Sequence, residues 1–512
     1  MPTKNNPKEI ALRMLSALLS LSALAAVLLF GASCSDEKTS PSENPSGPTI
    51  QAEGTGTKEG EGKNLQNIAP DIEAADGGGA DFVILNRAVS ENYNAHPYAE
   101  FSSESETGDV IDDAIYRRNL FLEEKYNVKI ISEAPTTDIA NMGGMIKKAH
   151  DAGDDMYQLA SLALSECFKL SFQGYLRELK SIPHIDIAKP WWMASMTQPS
   201  SIKGKNYFQT GEMNLGAFNT ATCLFFNKQP IKDFSLEDPY ALVKENKWTM
   251  DKLSEMCKAV TSDLDGDGAI DQNDRIGIAT SSYAWQVFFY GGDGLFVKKD
   301  ENDVPYFAPV DERTYNLITK LMDLVNNPTS SFNVTRVQGV DIVQLQMNMF
   351  EENRALFMIN NIYGTIPLRA LETDCGILPV PKYDQNQKDY VSTMHGSNAT
   401  AMCVPASNGN TDLAGRMLED MAYQSYVSVR PAYYDVTLKI KFARDEQSPE
   451  MLDIIFDKLI IDPVLLIWEG GQGADGLLRD ALTKNDTAVI SKIEANIDAY
   501  NAKIGEAAEA FG

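Results

Sequence analysis

The sequence predicts an α/β fold in which strands alternate with helices around a largely parallel sheet. Three observations predict it. Compact apolar runs such as Phe82-Val83-Ile84-Leu85 recur along the chain. Between them lie stretches whose apolar residues repeat at three- and four-residue steps, the spacing of one helix face. The length, 512 residues, suffices for two large lobes with separate cores.

The chain opens with a basic stretch (Lys4, Lys8, Arg13) and a nearly pure apolar run over 14–30 that ends in small residues. This is the layout of a signal peptide over residues 1–33. Gly31-Ala32-Ser33-Cys34 resembles a bacterial lipobox, with Gly31 where leucine is usual, so Cys34 is the expected lipidation site. The protein is expected on the extracellular face of a bacterial cell membrane, lipid-anchored. Residues 34–80 are rich in Ser, Glu, Gly, Pro, Thr and Lys. Such a composition buries too little surface to fold and reads as a disordered tether.

Folded elements are expected from Asp81. A strand at 82–85 is followed by a helix that Asp109 caps, with Ile111, Ala114, Ile115, Phe121 and Leu122 on one side. A strand at 128–131, a helix bearing Met142, Ile146 and Ala149, and a strand at 157–164 come next. Short strands are predicted at 205–209 and 222–227, helices at 315–325 and 343–350, and strands at 355–359, 376–380 and 399–404. The last hundred residues read as mostly helical, closing over 489–511. No internal repeat is found.

One segment carries a metal motif. Met250, Leu253, Met256, Cys257 and Val260 form the apolar stripe of a helix. Asp263, Asp265 and Asp267 then alternate, Gly268 takes the sixth position, and Asp271 and Asp274 the ninth and twelfth. A hard cation wants six to eight oxygens, so alternate side chains point inward and a backbone carbonyl, here of Ala269, completes the set. The expected cofactor is a structural Ca2+. Asp274 stands where glutamate is usual, and the missing methylene weakens bidentate reach. A strand follows instead of a second helix, and no second loop occurs, so a static clip is expected rather than a paired sensor.

Lys and Arg number 45 against 72 Asp and Glu, a net charge of −27. That excludes nucleic acid as a direct ligand, since its recognition needs basic patches. Beyond Cys34, Cys167, Cys223, Cys257, Cys375 and Cys403 are spaced too irregularly for a zinc site or a disulfide framework and read as mostly buried thiols.

The order of segments over roughly 81–512 resembles the extracellular solute-binding proteins of bacterial ABC importers, the group related to maltose-binding protein. Residues 108–130 look like its opening helix and second strand. Gly204-Lys205-Asn206-Tyr207 with Leu224-Phe225-Phe226-Asn227-Lys228 is similar to its entry into the second lobe. The Trp248 helix, the 350–357 strand entry (Asn353 standing where glycine is usual) and Gly376-Ile377-Leu378-Pro379-Val380-Pro381 resemble later family segments. Pro431-Ala432-Tyr433-Tyr434 resembles a subgroup that carries DxDGDG loops. The resemblance implies a two-lobed, type II periplasmic-binding-protein-like fold, each lobe a mixed sheet flanked by helices, joined by crossover hinge strands. Lobe 1 would comprise 81–200 and 391–430, and lobe 2 would comprise 201–390 and 431–512. It further implies capture of a small solute, a carbohydrate foremost, in the interlobe cleft, no enzymatic activity, and delivery to ABC transporter permease subunits.

Sugar recognition needs aromatic faces for C–H surfaces and planar polar groups for hydroxyls. Trp285, Tyr283, Trp191, Trp192, Tyr433 and Tyr434 are the candidates, with Trp468, His395 and Arg354 as weaker ones. Tyr283 and Trp285 are expected in a loop after a strand, where cleft residues project. Gly471-Gln472-Gly473-Ala474-Asp475-Gly476 satisfies a nucleotide-loop spacing but lacks a following strand with an acidic end. A glycoside hydrolase and a calcium-dependent adhesion module are the competing readings.

Overall fold

The computed structural model describes residues 68–90, 96–135, 142–368, 374–442, 446–468 and 473–511. The signal-peptide and Cys34 expectations, and part of the 471–476 turn, lie outside the described residues.

Strands β1 (Ala80–Leu85), β2 (Val128–Glu133), β3 (Leu159–Ala163) and β4 (Phe208–Gln209), with β13 (Thr400–Cys403), make one five-stranded sheet in the order β2-β1-β3-β13-β4. β1 runs parallel to β2 and β3, whereas β13 is antiparallel to β3 and β4. A second five-stranded sheet joins β5 (Thr222–Asn227), β6 (Ile276–Thr280), β9 (Ser331–Asn333), β10 (Ala355–Asn361) and β11 (Cys375–Leu378) in the order β11-β5-β10-β6-β9. β7 (Val297–Lys299) pairs with β8 (Pro305–Phe307), and β12 (Ser392–Thr393) with β14 (Leu459–Ile460). The expected alternation is present, and both sheets are mixed.

Period-two alternation sends Phe82 and Ile84 of β1 to one face, where they pack with Trp191, Met402 and Met417. Leu85 faces the other core, with Ile146 and Phe168. Helix α1 (Val110–Tyr126) starts where the Asp109 carboxylate accepts from the amides of Ile111 and Asp112, and it ends at Asn127 in the left-handed region. α2 (Gly143–Ala152) and α3 (Leu164–Phe172) follow, α3 directly after β3. The apolar run over 157–164 conceals that junction, because a buried strand and a buried helix start share one composition.

Two boundaries differ from expectation. Ile68, Ile72 and Ala75 pack against the first sheet's core, and the Gly77 amide donates to the Tyr126 carbonyl, so the segment 68–79 belongs to the folded unit and not to a tether. β4 is an edge strand of the first sheet, so a division at 200/201 falls before that sheet is complete.

Among the described residues the chain passes between the sheets along 210–221, which contains the short helix α4 (Leu215–Asn219), along 379–399, and along the helix over 411–442. That helix runs as α5 (Thr411–Gln424) against α1 and continues in π-helical geometry over Ser425–Val429 and Ala432–Phe442. Its far part meets α6 (Ser448–Asp457), which packs on β11. Met250–Val260 lies against β6 so closely that a Cβ on Gly277 would stand 2.1 Å from Cys257 Cβ. Trp248 is fully buried and its indole donates to the Pro379 carbonyl at 2.9 Å. The five cysteines after Cys34 are buried. Among the described residues no helix is long and apolar enough to cross a membrane.

Candidate ligand-binding cavity

A large cavity opens where the chain crosses between sheets. β10 pairs parallel with β6 and antiparallel with β5, with Asn361 opposite Thr222. The ends of β6 and β10 and the start of β5 therefore share one edge of the second sheet. Segments leaving that edge carry Ser281, Tyr283, Asn361, Tyr363 and Thr220, and the crossover before β13 adds His395 and Asn398. Together they enclose about 620 Å³. Ligands of open α/β sheets sit at such edges, beyond the carboxyl ends of the parallel strands.

The lining is rich in neutral planar groups. Gln286, Gln344, Gln346, Asn360, Asn361 and Asn398 contribute amides, while among the described residues Glu351 is the one charged side chain. Gln346 donates to the Ala279 and Ile359 carbonyls and Gln286 to that of Met394, which fixes both amide planes. Asn361 Oδ1 and His395 Nδ1 are buried and meet no hydrogen-bonding group. Burial holds the His395 imidazole below its ordinary pKa, so the ring is neutral at pH 7. A buried polar atom without a partner costs about 1–3 kcal/mol. The two atoms therefore favour a ligand that brings hydrogen-bonding groups into the cavity.

A smaller annex of about 140 Å³ shares Tyr283, Gln286 and His395 and adds Trp285, Trp468, Asp475 and Arg479. Tyr283 is 49% exposed and caps the helix Ala284–Gly291, while Trp285, expected in a loop, sits buried in that helix's first turn. Turn-forming serines before them hide a helix start whose cap makes no side-chain hydrogen bond.

The other aromatic candidates lie elsewhere. Trp191 and Trp192 are buried in the first sheet's core, and their indoles donate to the two oxygens of Glu419, each at 3.0 Å. Burial pushes the Glu419 carboxyl up to about 7 against the pull of those donors. Tyr433 is buried with its hydroxyl on Asn219, and Tyr434 donates to Asp453 at 2.6 Å. Both line a separate cavity. Arg354 pairs with Glu352 at 2.6 Å and donates to the Gln272 carbonyl, which ties it to the acidic loop. Asn361, Tyr363 and Gln346 carried no sequence signal beyond an Asn-Asn pair at a strand's end.

In the acidic loop, Asp263, Asp265 and Asp267 each bring one carboxylate oxygen into a group within 4.8 Å. Gly266 and Gly268 adopt φ of 76° and 85°, values that suit glycine. Their amides donate to the two oxygens of Asp263, and these bonds lower its carboxyl pKa. Backbone pairing of Ser262 with Arg275 closes the loop's base. Asp274 is buried outside the cluster of three, its carboxylate accepting from the amides of Leu264 and Asp271. Asp271 accepts from the amide of Asn273. Three oxygens converging on a closed loop fit a hard cation.

No family model matches the chain, and no curated protein matches it. Solved structures do. UspC of M. tuberculosis superposes with a TM-score of 0.54 at 14% identity over 82% of this chain and 100% of that one. An ABC substrate-binding protein from Listeria monocytogenes in complex with cycloalternan gives 0.52 at 11% identity, over 83% and 99%. A sugar transporter from Rhizobium etli in an open conformation gives 0.51 at 12%, over 84% and 100%. At these identities the likeness is one of fold. The chain has the type II periplasmic-binding-protein-like architecture, two mixed sheets flanked by helices.

Proposed function

We propose that this protein is a substrate-binding component of an ABC importer. It captures a carbohydrate or oligosaccharide at the crossover cavity and delivers it to permease subunits. The observation that carries this reading is the cavity itself: fixed neutral amides, Tyr283 and Tyr363 for sugar faces, and unmet polar atoms on Asn361 and His395. A hydroxyl-rich, uncharged solute answers that lining. The fold likeness to an ABC substrate-binding protein in complex with cycloalternan and to a sugar transporter supports it. Glycoside hydrolysis needs two carboxylates flanking the bond, and among the described residues the main cavity's lining holds one, Glu351, which favours binding over cleavage. Within this reading Cys34 carries the lipid that tethers the protein outside the membrane, and Asp263, Asp265 and Asp267 hold a structural Ca2+ that crosslinks the loop.

The test is the melting temperature of the protein against mono- and oligosaccharides, since a ligand specific to the native state stabilises it by RT ln(1 + [L]/Kd). One sugar class is expected to raise it without being consumed. Asn361→Ala should weaken that sugar roughly tenfold or more, the loss of a buried hydrogen bond, with the unliganded melting temperature no lower than the parent's. Turnover of a glycoside, or no response to any sugar, would sink the proposal.

A further inference from the structure

A second cavity, sharing no lining residue with the first, lies at the crossover between the sheets. It encloses about 200 Å³. Met193 and Glu212, on either side of β4, form one wall, and Phe456 and Leu459, at the end of α6 and in β14, form another. Arg430, Tyr433 and Tyr434 from the long crossing helix close it.

Its charges are paired side by side. Arg430 Nε lies 3.2 Å from Glu212 Oε2, and that oxygen is buried without a well-aligned hydrogen bond. Burial pushes the Glu212 carboxyl up to about 7 despite the guanidinium, so one cation does not offset its desolvation. Arg430 stacks over Tyr426 and Tyr434. Of its five donors, the structure turns Nε towards Glu212. Leu215, Phe218 and Phe456 present apolar surface to the same space. The tyrosine hydroxyls are already committed to Asn219 and Asp453. Ser195 and Asp457 supply the remaining polar side chains.

We propose that this cavity binds a free α-amino acid with an apolar side chain. Its carboxylate meets Arg430, its ammonium meets Glu212, and its side chain lies among Leu215, Phe218 and Phe456. Adjacent opposite charges beside an apolar wall match a zwitterionic head on an apolar body. A sugar, with hydroxyls on every side, would leave most of them facing carbon. The site is independent of the cargo cavity.

Titration calorimetry on the full-length protein tests it, with leucine and phenylalanine as probes. Saturable one-to-one binding is expected, weakened at least tenfold for leucinol, which lacks the carboxylate, and for 4-methylpentanoate, which lacks the ammonium. Glu212→Gln and Arg430→Met should each abolish it while sugar binding at the main cavity persists, which shows that the variants are folded. Asn361→Ala should leave amino-acid binding intact. Absence of heat with either amino acid, binding unchanged in both cavity variants, or a sugar displacing leucine would overturn the proposal.

Discussion

Glu419 shows how a residue's role depends on what surrounds it. Two adjacent tryptophans look like a sugar platform in the sequence, but both indoles are spent on one buried carboxylate. Nothing within the run Trp191-Trp192 announces an acceptor 227 residues away. Replacing Glu419 with alanine orphans two buried N–H groups and is predicted to cost about 2–4 kcal/mol. Glutamine keeps one acceptor oxygen and should cost about half as much. Urea unfolding followed by tryptophan fluorescence measures both, and an alanine variant as stable as the parent would show the pair to be unimportant. The converse holds at Asn361 and His395, unremarkable as residue types, which acquire meaning from burial without a partner.

Among the elements, the segment from Met250 to Thr280 was the most legible, because helix, loop and strand are contiguous and every expected ligand falls within twelve residues. Asp271 and Asp274 lie outside the group of Asp263, Asp265 and Asp267: Asp271 accepts from the amide of Asn273, and the Asp274 carboxylate, shorter than the usual glutamate, braces the amides of Leu264 and Asp271. Calcium at a hundred times its Kd is predicted to stabilise the protein by about 2.7 kcal/mol. Chelator should remove that increment, and Asp263→Ala should abolish the response to either. Calorimetric melting with calcium and with chelator decides the matter; a parent protein indifferent to both would leave Asp263 as a cap for the amides of Gly266 and Gly268. The helix Ala284–Gly291 was less legible, since a cap without a side-chain hydrogen bond leaves no mark in the sequence.

Across the whole molecule, buried carboxyls set the response to pH. Burial is the largest cause that raises Glu100 to about 8 and Glu212, Glu419 and Asp462 to about 7. A carboxyl whose folded pKa exceeds its unfolded one keeps its proton longer in the native state. Its contribution is fully present below the unfolded value and is lost as pH rises through the folded one. His96, lowered to about 4 chiefly by burial, opposes this only below its ordinary value of 6.5. Between pH 6.5 and 8.5 the melting temperature is therefore predicted to fall as pH rises. Glu100→Gln and Glu419→Gln should flatten the slope, and a stability that rises across this window would refute the assignment.

The sequence alone determined the α/β class, most element positions and the acidic loop, because hydrophobic period, capping and a twelve-residue motif are local properties written in consecutive residues. Only the tertiary structure decided which residues meet at the crossovers. It brought Asn361, Tyr363, His395 and Gln286 together from three separate segments, withdrew Trp191 and Trp192 into a core, and set Glu212 beside Arg430 across 218 positions of chain. A site of that kind is a product of chain crossing, and proximity between distant segments is decided by packing the whole rather than by the order of any part.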